Sequence, residues 1–368
     1  MKSLFISDFQ KRDPRFRGAQ EKHLDWLSRA YAVRGMRTRA GMRALLSRYG
    51  AAADAIAMRA YELPDFSHHA WKRMRLFGPR GSTLADKMRF FDEAVGRAFV
   101  DFYPAKAKPP SGIVHVTCTG YLAPSPVQKF VAARRWGKQT EVLHAYHMGC
   151  YAAHPALRIA AGQLAAQPAS VRPVDIVHTE LCSLHLDLTR VDPAQLVIQS
   201  LFADGYMRYA VQRTRPRTAS FELLAMHDEL LPDSIDAMTW APGPFHFAMT
   251  LSKDVPCLFA EALPAFVKRL FQRANLRAEA ETPDAVFAIH PGGPLILEWS
   301  KKALALDSRQ LHWSRDILRR HGNISSATLP HIWQAILKDK AVPNRALVVS
   351  VGAGPGLTLS GALLRKRS

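Results

Sequence analysis

Apolar residues recur along this chain in two rhythms, and the rhythms alternate. Residues 23–49, HLDWLSRAYAVRGMRTRAGMRALLSRY, place apolar positions three and four apart among arginines, which predicts helix. The Gly-Pro-Arg-Gly cluster at 78–81 breaks that run, and a second helix is expected over 83–101 with Ser82 as its N-cap. After a loop at Lys106–Pro110, GIVHVTCTG reads as a short buried strand ending at Gly120.

The alternation then continues. TEVLHAYHMG (140–149) is strand-like, CYAAHPALRIAAGQLAAQ (150–167) an Ala-rich helix, and VDIVHTELCSLH (174–185) a strand. Further on, SFELLAMHDEL (220–230) predicts a strand, VPCLFAEALPAFVKRLFQRA (255–274) a helix, and AVFAIHPGG (285–293) a strand stopped at Gly292–Gly293. SSATLPHIWQAILKD (325–339) is helical, and RALVVSVGAGPG (345–356) is a strand entering a Gly-rich turn. Strands alternating with helices argue for a layered α/β fold with buried sheets. The same alternation in both parts of the chain suggests an internal duplication, although no residue-level repeat is visible.

Composition narrows the partners. In 368 residues no apolar run approaches the ~20 needed to cross a bilayer. The opening MKSLFISDFQKRDPRF reaches charge and proline before a signal-peptide core can form. Cys118, Cys150, Cys182 and Cys257 lie far apart with no CxxC pair, which argues against a metal site or a disulfide framework and for a reducing, cytoplasmic setting. Fifty Lys plus Arg against 31 acids give a net charge of +19. Such a balance draws anions. Coenzyme A phosphates or an acidic acyl carrier protein fit it, as does a generally basic solvated surface. Nucleic acid fits poorly, because no RNP motif, zinc finger or Arg-rich reading helix is present.

Three segments carry candidate chemistry. In HMGCYAAHPALRIAAG, Cys150 follows a strand and a glycine and opens a helix, where unpaired N–H groups and the helix dipole favour a thiolate. In FAIHPGGPLILEWS, His290 ends a strand and is held by a Pro-Gly-Gly turn, which suits projection into a cleft. In HGNISSATLPHIWQAIL, Asn323 precedes a Ser-Ser helix start. Each also has a plain structural reading: a buried thiol, a satisfied core histidine and an N-cap formed by Asn323 or Ser325. Pro155, one turn into the Cys150 helix, cannot donate to the Tyr151 carbonyl and predicts a local distortion.

Cys, His and Asn in this order resemble the catalytic set of the thiolase-like condensing enzymes, and specifically the chalcone synthase, or type III polyketide synthase, family. MGCYAAHPALRIA is similar to its Gly-Cys helix start, His290–Pro294 to its HPGGP turn, Gly322–Ala327 to its GN-[MI]-SSA segment and GAGPGLT (352–358) to its Gly-rich loop. TELCSLHLD (179–187), LFADG (201–205), FELL (221–224) and SKDVP (252–256) extend the match over roughly 110–368, whereas the first hundred residues match loosely.

The resemblance implies a five-layered α-β-α-β-α thiolase-like fold of two similar halves, 1–212 and 213–368, and a homodimer. It implies that Cys150 carries an acyl thioester, with His290 paired to its thiolate and acting with Asn323 on a malonyl-type extender. It maps Phe221 and Met249 onto two gating positions, His185 onto a volume-setting one, Cys118 and Thr119 onto the chamber floor, and Gly352 and Gly354 onto a turn approaching the acyl group. The family binds CoA phosphates through Lys and Arg of N-terminal helices, and the corresponding region here is rich in arginine (Arg37, Arg39, Arg43, Arg48 and Arg73) without a residue-by-residue match that names contacts. CoA or phosphopantetheine thioesters are then substrates, with no separate cofactor. The products implied are α-pyrones or resorcinols. One alternative joins two carrier-bound β-ketoacyl chains into an α-pyrone. Another is a basic binding protein without catalysis.

Overall fold

The computed structural model describes residues 3–168 and 171–368. It opens with β1 (Leu4–Arg12) and a ribbon of β2 (Phe16–Ala19) and β3 (Met58–Tyr61), between which lie α1 (Gln20–Val33) and α2 (Arg39–Tyr49). Then come α3 (Leu84–Phe102), β4 (Gly112–Thr117), α4 (Pro126–Ala133) and β5 (Glu141–Tyr146). The first part closes with α5 (Ala153–Ala166), β6 (Val174–Leu181), α6 (Pro193–Leu201) and β7 (Asp204–Gln212). The second part starts with β8 (Ser220–Leu230), a hairpin of β9 (Met238–Pro242) and β10 (Phe247–Leu251), α7 (Val255–Gln272) and the single turn α8 (Ala278–Glu281). It continues through β11 (Val286–Ile289), α9 (Pro294–Ala303), α10 (His312–His321), α11 (Thr328–Lys338), β12 (Leu347–Gly354) and β13 (Thr358–Arg367).

Nine strands join in the order β11-β12-β13-β8-β1-β7-β6-β4-β5. Either side of the central antiparallel β1·β8 pair the pattern repeats. β4 and β6 are parallel, as are β11 and β12, whereas β6·β7, β7·β1, β12·β13 and β13·β8 are antiparallel. On that repeated order we propose that 1–212 and 213–368 are duplicated units, joined through the loop between Gln212 and Ser220.

The layers run α-β-α-β-α, and the three largest apolar clusters lie among them. The middle cluster draws on both halves: Ala156, Leu157 and Ala160 of α5 and Leu329, Ile332 and Trp333 of α11 pack with strand residues of the two sides. The outer clusters seat α1 to α4 on one flank and α7 and α9 on the other. Alanine along α5 lets two strand layers close upon it. The distortion expected at Pro155 does not occur. α5 begins only at Ala153, so Pro155 falls in the first turn, where its missing N–H has no helical partner to lose.

Candidate active site

After β5 the chain turns through His147 and Gly149, which hold positive φ of 58° and 82°. A Cβ on Gly149 would lie 2.3 Å from Pro355 Cδ, and one on Gly354 would lie 2.5 Å from the Tyr151 ring. Two backbone turns therefore touch, and glycine is required on both sides of the contact. Between them Cys150 is buried, 8% exposed. The helix-start argument for a lowered thiol pKa fails here, because Cys150 precedes α5 by three residues. Burial, reinforced by Glu180, pushes the thiol up to about 12, and the side chains of Ser325 and Asn323 pull the other way.

His290 sits at the end of β11, its N–H donating to Val351 O at 2.8 Å and its carbonyl accepting from Gly292 N–H at 2.9 Å. The backbone is thus fixed while the ring is free. Neither ring nitrogen has a hydrogen-bond partner among the described residues, and Cys150 Sγ makes its contact, at 4.0 Å, with Ser325 Oγ instead. No hydrogen bond therefore joins the thiol to the His290 ring. Burial, with a smaller contribution from His154, lowers the His290 pKa to about 3.

Asn323 is locked to the segment after α6: its N–H donates to Leu201 O and its carbonyl accepts from Ala203 N–H, each at 2.9 Å. Its Oδ1 accepts from Ser325 N–H at 2.8 Å. A backbone donor fixes which side-chain atom is oxygen, so the amide NH₂ is left to meet a ligand. Ser325 itself holds a φ of 51°, a strained conformation beside the thiol.

Two cavities meet at Cys150. The outer one, about 450 Å³, brings together Cys150, His290 and Asn323 and opens past Lys253 and Leu295. The inner one, about 80 Å³, brings Cys150 together with Cys118, Thr119 and His185. Phe202, Met238 and Met249 line both, beside Cys150. His185 is held as a neutral ring: Nδ1 accepts from Phe247 N–H at 3.0 Å, so Nε2 carries the proton and donates to Thr119 O at 2.8 Å. Trp240 donates to Cys118 O at 2.6 Å and closes the wall beside it.

Two of the sequence assignments need correction. Phe221 lines neither cavity; it lies on β8, wholly buried in the middle core opposite Ile6, and the phenylalanine that lines both cavities is Phe202 of LFADG. Gly352 and Gly354 do not line the chamber either. They give clearance to Tyr151, and Ala353 and Pro355 of the same turn reach the cavities. Of the N-terminal arginines, Arg39 and Arg43 are engaged by Asp25 and Glu21. Sequence reasoning also passed over Glu180, a buried carboxylate whose pKa burial raises. It accepts from Cys118 N–H at 3.0 Å, Thr119 Oγ1 at 3.0 Å and the Ser326 hydroxyl. Its place in TELCSLHLD, one of the matched segments, was the available signal.

Residues 222–367 match the family model for the C-terminal domain of chalcone and stilbene synthases. Over the whole length, the chain superposes on the C-terminal type III polyketide synthase domain of Steely1 from Dictyostelium with a TM-score of 0.83, at 25% identity and full coverage of both chains. The chain shares its fold over the whole length, and its C-terminal sequence signature, with the type III polyketide synthases. Among curated relatives, the chain is 31% identical over 258 residues to probable polyketide synthase 1 of Dictyostelium discoideum, covering 69% of the chain but 8% of that much longer protein. It is 26% identical to an α-pyrone synthesis polyketide synthase-like protein of Mycobacterium tuberculosis, covering 78% of the chain and 75% of the relative. The tetrahydroxynaphthalene synthase structure from Streptomyces coelicolor, at 22% identity and a TM-score of 0.81, shares the fold over 99% of each chain.

Proposed function

We propose that this chain forms carbon–carbon bonds by decarboxylative condensation on Cys150. The observation that carries the reading is the outer cavity. It gathers Cys150, His290 and Asn323 from three distant segments, with both His290 ring nitrogens unpartnered among the described residues. In loading, Cys150 Sγ attacks the thioester carbonyl and passes its proton to His290. The CoA or pantetheine thiol leaves with that proton, and an acyl-Cys150 thioester remains. In extension, His290 and the Asn323 amide donate to the carbonyl oxygen of a malonyl thioester. Its C–CO₂ bond breaks, CO₂ departs and the electron pair becomes an enolate under those donors. The enolate carbon attacks the acyl carbonyl, the C–S bond breaks, and the Cys150 thiolate is released.

Two cavities of about 80 and 450 Å³ that meet at Cys150 give room for an acyl starter on one side and an extender on the other, in keeping with α-pyrone or resorcinol products, and the joining of two carrier-bound β-ketoacyl chains is the alternative. The net charge of +19 keeps an acidic carrier protein open as the donor of either thioester. The chemistry also requires a reduced Cys150, which a cytoplasmic setting supplies. No described helix is long and apolar enough to cross a membrane.

Intact-protein mass spectrometry after incubation with acyl-CoA, or with acyl-loaded carrier protein, tests the reading. We expect one acyl adduct that disappears in Cys150→Ala. Acylation that persists in the variant, or none from any donor, would remove the proposal, and the faster donor identifies the carrier.

A further inference from the structure

Arg59, on β3, lines the same inner cavity as Cys150 and is 1% exposed. Its Nε donates to Gln20 Oε1 at 2.6 Å, and Nη1 donates to the carbonyls of Gln199 and Phe202, both at 2.9 Å. These acceptors are all neutral. Nη2 has no partner among the described residues, and no carboxylate there forms an ion pair with the guanidinium. The two carbonyls at the end of α6 offset part of the charge, but a buried cation with one N–H edge free is costly to keep unless something anionic meets it. His23 of α1 lines the same cavity and is 6% exposed; its ring stands against the backbone of Arg59 and Gly18, and its Nε2 makes no well-formed hydrogen bond among the described residues. Two elements thus bring unsatisfied nitrogens to one largely apolar chamber, which Asp187 and Arg190 also line, alongside the Cys150 thiol.

We propose that Arg59 and His23 form a carboxylate subsite, so that the acyl group carried by Cys150 ends in a carboxylate and the preferred starter is the mono-thioester of a short dicarboxylic acid. This rests on the condensing reading above. The guanidinium Nη2 edge meets one carboxylate oxygen and His23 Nε2–H the other. A methyl-ended acyl group of the same shape leaves both unpaired and displaces no charge.

The test compares initial rates of Cys150 acylation, read by intact-protein mass spectrometry. Succinyl-, glutaryl- and adipyl-CoA are set against neutral branched acyl-CoAs of the same length and end shape. At the best length, wild-type protein is expected to favour the carboxylate by roughly 10- to 100-fold in kcat/KM, the range of a charge-assisted hydrogen bond. Arg59→Gln collapses that ratio towards one, Arg59→Lys keeps part of it, and His23→Phe reduces it. The wild-type ratio alone decides the matter if a variant fails to fold. Neutral thioesters loading as well as their carboxylate counterparts at every length would overturn the subsite and leave the condensing reading standing. No acylation of Cys150 by any thioester would remove both.

Discussion

At Cys150 and His290 burial opposes charge on either residue alone, raising the thiol to about 12 and lowering the imidazole to about 3. Charge can therefore appear there only as a pair, when the proton passes from sulfur to ring and each ion stabilises the other. Removing the ring should expose the raised thiol pKa. A raised thiol pKa means a thiolate fraction that grows tenfold per pH unit until that pKa is reached. For His290→Ala, alkylation of Cys150 by iodoacetamide is thus expected to climb through pH 6 to 9 without a plateau, and to run roughly 10- to 100-fold below wild type at pH 7. A plateau near pH 8 in the variant would refute paired ionisation. Sequence made Cys150, His290 and Asn323 legible because each stands in a motif with its own turn chemistry. It did not separate Phe202 from Phe221. Both are phenylalanines in apolar strings, and only the folded chain shows that Phe202 shares the cavities with the thiol while Phe221 is buried in the middle core. Arg59 was invisible for a related reason: burial of a cation comes from α6 and the ribbon closing over it, which no local pattern records.

Elements built from regular periodicity were legible, and β8 has the bounds expected from its pattern. Elements whose apolar content is interrupted were not. β1 buries its first four residues and then reads as polar, and β13 ends in Lys and Arg although most of it is buried. Helix starts were placed early at α5 and α11, because each is preceded by an irregular turn that carries the chemistry: Cys150 before one, and Asn323 with Ser325 before the other. Those turns depend on close backbone contact rather than on side chains. Gly149→Ala would force an L-residue to a φ of 82° and drive a methyl into Pro355. We expect a loss of about 2–4 kcal/mol in urea unfolding, together with loss of Cys150 acylation. Gly96→Ala, in α3 with nothing within 4 Å of the added carbon, serves as the control and is expected to stabilise by up to about 1 kcal/mol. Equal behaviour of the two variants would mean that the contact between the turns does not hold the nucleophile.

The whole sheet has two ends, and they are treated differently. At one end β11 is buried at all four residues, covered by its flanking helices. At the other, β5 is only partly covered, and beside it Tyr121 is 67% exposed with its ring 6.0 Å from Tyr146. An open edge strand flanked by an exposed aromatic invites pairing, and a second copy of the chain meeting it across a two-fold axis would close the edge on both. On this ground we expect a homodimer. Light scattering should give twice the 41.0 kDa chain mass, and Tyr121→Lys, placing like charges face to face on an already cationic protein, should weaken dimerisation by roughly 10- to 100-fold. A chain that stays at 41.0 kDa at micromolar concentration would refute the interface. The consequence reaches the chamber, because Tyr121 lies in the loop between β4 and α4 that begins with Cys118 and Thr119. That loop is tied to the inner wall by Trp240 and His185 on one side and by Glu180 on the other. Fixing its outer surface against a partner should hold the floor beneath Cys150 in place. The Tyr121→Lys monomer is therefore expected to load acyl groups more slowly than the dimer, and raising its concentration until it associates should restore the rate.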